Sequence, residues 1–304
     1  MLHSRRAHVL AGYAALGVAL VAVVIVVAPW EHSAAPAVAA PTAAPAATTP
    51  SPPPAPTADL ATSPFPRVGA DPTGGTGWFL VIGDSISFGF TVDPARFGTN
   101  SSWVAQLLPQ LGAAAPVPDV LACPGETTAS YASGCPMPSL VPWLGATSQR
   151  EAALTAVRGH RSTLRFVVVE LGSNDLLNAR RDGIAGPAVL AGLQSRLTGI
   201  VTDLRAAAPG VPVVVANLYD PFGAGDLMAS AGVAQANAVI AAVAARHGAA
   251  VADFHAAING GAEPLGALVD QAHGDVHPTV EGHHLLARAV LDALSRLGIR
   301  SPRG

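Results

Sequence analysis

Between Phe79 and Leu297 two kinds of apolar pattern alternate along the chain. Short apolar runs occupy Phe79–Ile82, Val117–Ala122, Phe166–Leu171, Val211–Asn217 and Ala249–Phe254. Runs of this length, with little polar alternation, predict strands buried on both faces. The stretches between them carry helical spacing. Leu190, Leu193, Leu197, Ile200 and Leu204 form one stripe at a period near 3.6, and Pro209-Gly210 ends it. Val233 to Arg246 is Ala-rich and stops at His247-Gly248, as a glycine C-cap requires. A last helix is expected after Pro278 and runs to about Leu297, with Leu286, Val290, Leu294 and Leu297 on one side. Strands alternating with helices argue for parallel pairing through crossovers. The expected fold class is therefore α/β, a three-layer α/β/α sandwich around a central parallel five-stranded sheet. In such sheets ligand sites lie off the carboxyl ends of the strands, so the loops after each strand are where chemistry is expected.

The pattern before Phe79 is different. Val9 to Ala28 is an uncharged apolar run, about 30 Å long as a helix, which matches the hydrocarbon core of a bilayer. Arg5 and Arg6 precede it and only Glu31 and His32 follow closely, so the positive-inside rule directs the rest of the chain out of the cytoplasm. Ala37-Val38-Ala39 followed by Ala40 supplies a small-residue cleavage site, which leaves a retained anchor and a removed signal both open. From Ser33 to Pro66, 27 of 34 residues are Pro, Ala or Thr, a composition that cannot bury a core and favours an extended spacer. The expected organisation is a cytoplasmic stub and membrane or signal segment over 1–30, a linker over 31–75, and a folded domain over 76–304. Membrane association is expected only through the first segment.

Composition narrows the chemistry. Charged residues are 12% of the chain and hydrophobic ones 50%, which excludes generic disorder in the domain. The formal net charge is −3, so a basic nucleic-acid footprint is absent and no nucleic-acid partner is expected. The chain contains no lysine, which excludes a phosphate loop of the Gly-Lys-Ser/Thr type and Schiff-base catalysis.

Strand one runs into Gly83-Asp84-Ser85-Ile86, placing a serine where a buried strand turns over. A serine hydroxyl is a weak nucleophile until a base takes its proton, so the chain must also supply a histidine and a group to orient it. Asp275-Val276-His277-Pro278 offers both. In extended backbone, residues two apart point the same way, and the Asp275 carboxylate can reach one ring nitrogen of His277 while leaving the other free. No Gly-x-Ser-x-Gly elbow occurs in the chain, which argues against the α/β-hydrolase arrangement. Asp84 reads as a support beneath the serine, and Asp175 as a cap of the segment that follows it.

With these residues in hand, the chain resembles the SGNH or GDSL-type esterases and lipases through four blocks in order. They are Gly83-Asp84-Ser85-Ile86, with isoleucine where the family name has leucine; Cys123-Pro124-Gly125-Glu126-Thr127; Gly172-Ser173-Asn174-Asp175; and Asp275-Val276-His277-Pro278 followed by Gly282-His283. The resemblance implies the flavodoxin-like SGNH fold. It assigns Ser85 as nucleophile, His277 as base and then acid, and Asp275 as the group that fixes the imidazole. It assigns the oxyanion hole to the backbone N–H groups of Ser85 and Gly125 and the side-chain amide of Asn174. It implies a serine esterase acting through an acyl-enzyme on small-molecule, lipid or carbohydrate esters, without a cofactor. Two alternatives stand beside it: an acyltransferase using the same triad, and a non-catalytic carbohydrate-binding module.

Cys123 and Cys135 are the only cysteines, and in an exported chain an even pair reads as a disulfide, with two buried thiols as the alternative. His273, His277, His283 and His284 cluster without a recognised zinc spacing, so no metal is expected. Oligomeric state has no signature in the sequence.

Overall fold

The computed structural model describes residues 77–299, apart from 92–101, 114, 142–145 and 185. The expected membrane segment and linker lie outside the described residues. Five strands and ten α-helices are described: β1 (Trp78–Gly83), α1 (Ser85–Phe88), α2 (Trp103–Leu111), β2 (Val117–Ala122), α3 (Ser130–Ser133), α4 (Gln149–His160), β3 (Leu164–Glu170), α5 (Ser173–Arg181), α6 (Gly186–Ala207), β4 (Val213–Ala216), α7 (Leu227–Arg246), β5 (Ala250–Ala252), α8 (Phe254–Asn259), α9 (Leu265–Leu268) and α10 (Val280–Arg296). The strands form one parallel sheet in the order β2-β1-β3-β4-β5. The chain leaves β1 in one direction to make β2, then returns past β1 to make β3. That reversal is the topological switch point, where open α/β sheets form their ligand crevice.

Period-two alternation explains how short apolar runs serve two cores. Trp78, Leu80, Ile82, Val167, Val169, Val213 and Val215 face one layer, where α4, α6 and α7 pack through residues such as Val157, Leu197 and Ile240. Phe79, Val81, Phe166, Val168 and Val214 face the other, against α2, α8 and α10 through Trp103, Leu107, Phe254, Leu286 and Val290. Both faces are covered, as an all-parallel sheet requires. Helix α7 is long and apolar enough to cross a membrane, but Val233, Ala236, Ile240 and Val243 are buried in the core beside the sheet.

For β5 and α7 the differences from the sequence expectation fall at element ends and have local causes. β5 is three residues long because Asp253 caps α8, accepting the Ala256 N–H at 2.9 Å, so Phe254 opens a helix. α7 begins at Leu227, earlier than expected, because Asp226 accepts the Ala229 N–H at 3.0 Å and starts the helix there. α5 was not signalled by periodicity at all, since Ser-Asn-Asp-Leu-Leu-Asn-Ala-Arg-Arg carries few apolar residues.

Cys123 and Cys135 form a disulfide that closes the loop leaving β2. Their separation of 12 residues corresponds to about 3 kcal/mol of restriction on the unfolded chain. The double variant Cys123→Ala/Cys135→Ala should therefore melt about 6–12 °C below wild type. Thermal unfolding under non-reducing conditions reads this, and an unchanged melting temperature would contradict it.

Candidate active site

The sheet register brings three loops to one level. Gly83 at the end of β1 pairs with Ala122 of β2 on one side and Glu170 of β3 on the other. The chain segments that follow, which carry Ser85, Gly125 and Asn174, thus start side by side at the switch point. Gln149 from α4 ties two of these ends together, its amide donating to the carbonyls of Gly83, at 2.8 Å, and Leu121.

Ser85 is the first residue of α1, and Asp84 is the cap, its Oδ1 accepting the Ile86 N–H at 2.9 Å. The capping role that a serine after Gly-Asp would ordinarily take is therefore filled by its neighbour. Asp84 Oδ2 accepts the Asn174 amide at 3.0 Å. That amide also donates to the Glu126 carbonyl at 3.0 Å, so one side chain bridges the loops after β1, β2 and β3. Gly125, expected to offer its N–H, has φ of +80°, a conformation that the lack of a Cβ permits. Asp175 does not cap α5. The N-cap there is Gly172, and the Asp175 carboxylate turns instead to Thr128, accepting its N–H at 2.8 Å and its hydroxyl at 2.6 Å.

The opposite wall comes from the segment before α10. His277 Nδ1 lies 2.5 Å from Asp275 Oδ1, the reach expected from residues two apart in extended chain. The segment is pinned at its base by an antiparallel bridge between Val269 and Pro278. In its middle, the Tyr219 hydroxyl donates to the Val276 carbonyl at 2.7 Å. The His277 ring packs against Phe90, centroids 5.2 Å apart, and the Phe90 N–H in turn donates to the Ser85 carbonyl at 2.9 Å. Two segments nearly two hundred positions apart therefore meet through one aromatic ring. Of the other histidines, His273 Nδ1 is 2.6 Å from Asp270 Oδ1, and His283 Nδ1 accepts the Trp103 N–H at 3.1 Å, so each has a separate partner. The sulfurs of Cys123 and Cys135 approach the Glu126 carboxyl, but joined to each other they leave Glu126 as the one ordinary ligand of that group.

Beneath the serine lies a buried acidic pair. Glu170 Oε2 accepts the N–H groups of Asp84 and Ser87, at 3.2 and 3.3 Å, and the Ser87 hydroxyl at 2.8 Å, while Trp103 Nε1 donates to the same hydroxyl at 3.1 Å. Burial first, and then the charge of Asp84, raise the Glu170 pKa well above its ordinary value. Burial also raises Asp84, opposed by the Ile86 N–H and the nearby His277, to about 6. Burial lifts the Tyr219 phenol well above its ordinary value, with Asp84, Glu170 and Asp275 adding to the effect. Of these supporting residues only Asp84 was read from the sequence. For the others the one available signal was Glu170 itself, an acid closing an otherwise apolar strand, whereas Tyr219 and Gln149 act through long-range bonds to backbone that leave no periodic trace.

Glu126 is a further buried acid, fully inaccessible, with Oε1 accepting the Ser130 hydroxyl at 2.5 Å and Oε2 without a partner among the described residues. Burial raises its pKa from 4.5 to about 7. A carboxyl raised in this way holds a proton in the folded state that the unfolded chain has lost, so its contribution to stability falls as pH climbs from about 4.5 toward 7. Glu126→Gln should thus raise the melting temperature at pH 8 by several degrees, equivalent to about 2 kcal/mol. At pH 4 the gain should vanish, because the wild-type carboxyl is then protonated in both states. Equal gains at both pH values would show that the cause is not ionisation.

No curated protein matches the sequence. Among solved structures the chain is similar to Axe2, an acetylxylan esterase from Geobacillus stearothermophilus, with 19% identity and a TM-score of 0.53 over 79% of this chain and all of that one. It is similar also to LAE5, an alpha/beta hydrolase enzyme from the metagenome of Lake Arreo, Spain, with 18% identity and a TM-score of 0.53 over 73% of this chain and 96% of that one. At these identities the likeness establishes the fold. The model of the GDSL-like Lipase/Acylhydrolase family matches residues 81–285, a span that runs from β1 into α10 and takes in all three loops at the switch point together with the Asp275–His277 segment. With that match over most of the described residues, the chain belongs to the GDSL-like lipase/acylhydrolase family and is a serine ester hydrolase.

Proposed function

We propose that this chain is an exported esterase that removes acetyl groups from an envelope polysaccharide, using Ser85, His277 and Asp275 as its triad. The observation that carries the reading is the His277 ring, oriented through Nδ1 by Asp275 and packed by Phe90 against the turn that holds Ser85. With Nδ1 engaged, Nε2 is the nitrogen left for the serine proton. His277 takes that proton as Ser85 Oγ attacks the ester carbonyl, then returns it to the departing alcohol. The same histidine then activates water, which releases the acid from the acyl-enzyme.

Negative charge on the carbonyl oxygen would be met by the N–H groups of Ser85 and Gly125 and by the Asn174 amide. Asn174 has both amide hydrogens engaged, one on Asp84 and one on the Glu126 carbonyl. The bond to the Asp84 carboxylate is charge-assisted and the stronger of the two. Asn174 therefore exchanges its bond to the Glu126 carbonyl for the oxyanion and keeps Asp84 as its anchor. Export is supported by the apolar run over Val9–Ala28 and by the Cys123–Cys135 bridge, since disulfides persist in oxidising compartments. The acetyl assignment is supported by the similarity to an acetylxylan esterase, and the envelope assignment by the Pro/Ala/Thr-rich composition that follows the apolar run.

Ser85→Ala and His277→Ala should each lower kcat by at least about a thousandfold. A fluorophosphonate should label the wild type and spare Ser85→Ala. Turnover or labelling that persists in Ser85→Ala would remove the triad from consideration. Across nitrophenyl esters from acetate to palmitate, kcat/KM should be highest for acetate. A preference for palmitate would replace the acetyl assignment with a lipid one, and consumption of ester into an added sugar acceptor without release of free acid would mark a transferase.

A further inference from the structure

The Gly125 loop runs from the end of β2 to α3, and Asn174 lies in the first turn of α5. Two donors on different segments serve one oxyanion only if the segments keep a fixed separation. The disulfide fixes the loop at Cys123. At its other end the loop reaches Thr128, and there it meets Asp175.

The Thr128 hydroxyl donates to Asp175 Oδ1 at 2.6 Å and its N–H to Oδ2 at 2.8 Å, with both residues buried. Arg196, one side chain on α6, completes the arrangement. Its Nη2 donates to Asp175 Oδ1 at 3.0 Å and its Nε to the Thr128 hydroxyl at 2.8 Å. The hydroxyl thus gives its hydrogen to the carboxylate and accepts one from the guanidinium, which leaves it no rotational freedom. Gly192, one turn before Arg196 on α6, leaves room for the guanidinium. A Cβ at that position would stand 2.7 Å from Nη1 and 3.0 Å from Nη2, so the guanidinium would have to shift.

None of these groups is part of the proposed triad or oxyanion hole. We infer that Asp175, Thr128 and Arg196 are positioning residues that hold the Gly125 loop against the Asn174 segment, so that both donors converge on one point. The inference rests on the triad and oxyanion assignment above and deepens it. Asp175 stands next in the chain to Asn174, and Thr128 stands three residues after Gly125, so a slip at the clamp reaches both donors with little room to dissipate. Displacing a reacting group by about 1 Å costs on the order of a hundredfold in rate.

Four variants test the clamp. Asp175→Asn sets an NH2 group where either the Thr128 N–H or the guanidinium needs an acceptor. Thr128→Val keeps the shape and removes the hydroxyl, whereas Thr128→Ser keeps the hydroxyl. Gly192→Ala pushes the guanidinium away while making α6 intrinsically more helical. Expected values of kcat fall on the order of tenfold to a hundredfold for Asp175→Asn and Thr128→Val, and severalfold for Gly192→Ala, with KM within about threefold throughout. Thr128→Ser should retain the wild-type kcat. Affinity for a trifluoromethyl ketone, whose carbonyl carbon bonds to Ser85 Oγ and leaves an oxyanion, should fall in step with kcat. Affinity for the matching methyl ketone should not.

Gly192→Ala keeps the test open if Asp175→Asn fails to fold, because it leaves the bonds between Asp175 and Thr128 in place and its gain in helix propensity offsets part of what the displaced guanidinium loses. Wild-type kcat and unchanged trifluoromethyl ketone affinity in Gly192→Ala and Thr128→Val, alongside an inactive Ser85→Ala, would overturn the clamp and leave the triad standing. An active Ser85→Ala would overturn both.

Discussion

A carboxylate withdrawn from water at the end of the first strand is the interaction on which the site depends. Asp84 starts α1 by taking the Ile86 N–H, and so sets the direction in which Ser85 leaves the sheet. Through its other oxygen it holds Asn174. Burial alone would discharge such a group, and its raised pKa registers that pressure. The pressure is offset by the Ile86 N–H, by His277 nearby, and by a hydrogen bond with Glu170, whose own pKa burial pushes up. Ser87 and Trp103 hold Glu170 in place, and through His283 the same chain of bonds reaches α10.

The parallel sheet supplies the geometry that this carboxylate refines. Because β2, β1 and β3 end at one register level, three short loops are delivered together without any long connection. The fourth segment, Asp270 to His277, has no strand of its own beneath it. It is held by the Val269–Pro278 bridge and by the Tyr219 hydroxyl, whose ring is buried against the core that α10 and β5 share. Rigidity in the site therefore comes from two sources, strand register on one side and a few side-chain to backbone bonds on the other.

What the sequence revealed divides along the same line. The four longer strands and the helices α6 and α10 were legible because burial on a sheet face or helix stripe imposes a period. The contact between Asp275 and His277 was legible because the Asp–x–His geometry follows from extended backbone alone. The cysteine pair was legible because no other partner exists in the chain. Glu170 with Ser87, Gln149 with two strand ends, and Asp175 with Thr128 were not legible. Each joins residues far apart in the chain through one side chain, and a single contact carries no repeat. The reading of Asp175 as a helix cap failed for that reason: the local rule favours a cap, and a backbone N–H from another loop offered a better bond.

Chain order has a consequence for assembly. His277 follows all five strands, so the turn that carries Ser85 belongs to the first part of the domain and the Asp275–His277 pair to the last. Packing of α10 against α2 completes one layer of the core, and the segment ahead of α10 brings His277 against Phe90 beside the Ser85 turn. The parts of the proposed triad therefore meet only in a domain that is folded as far as its last helix.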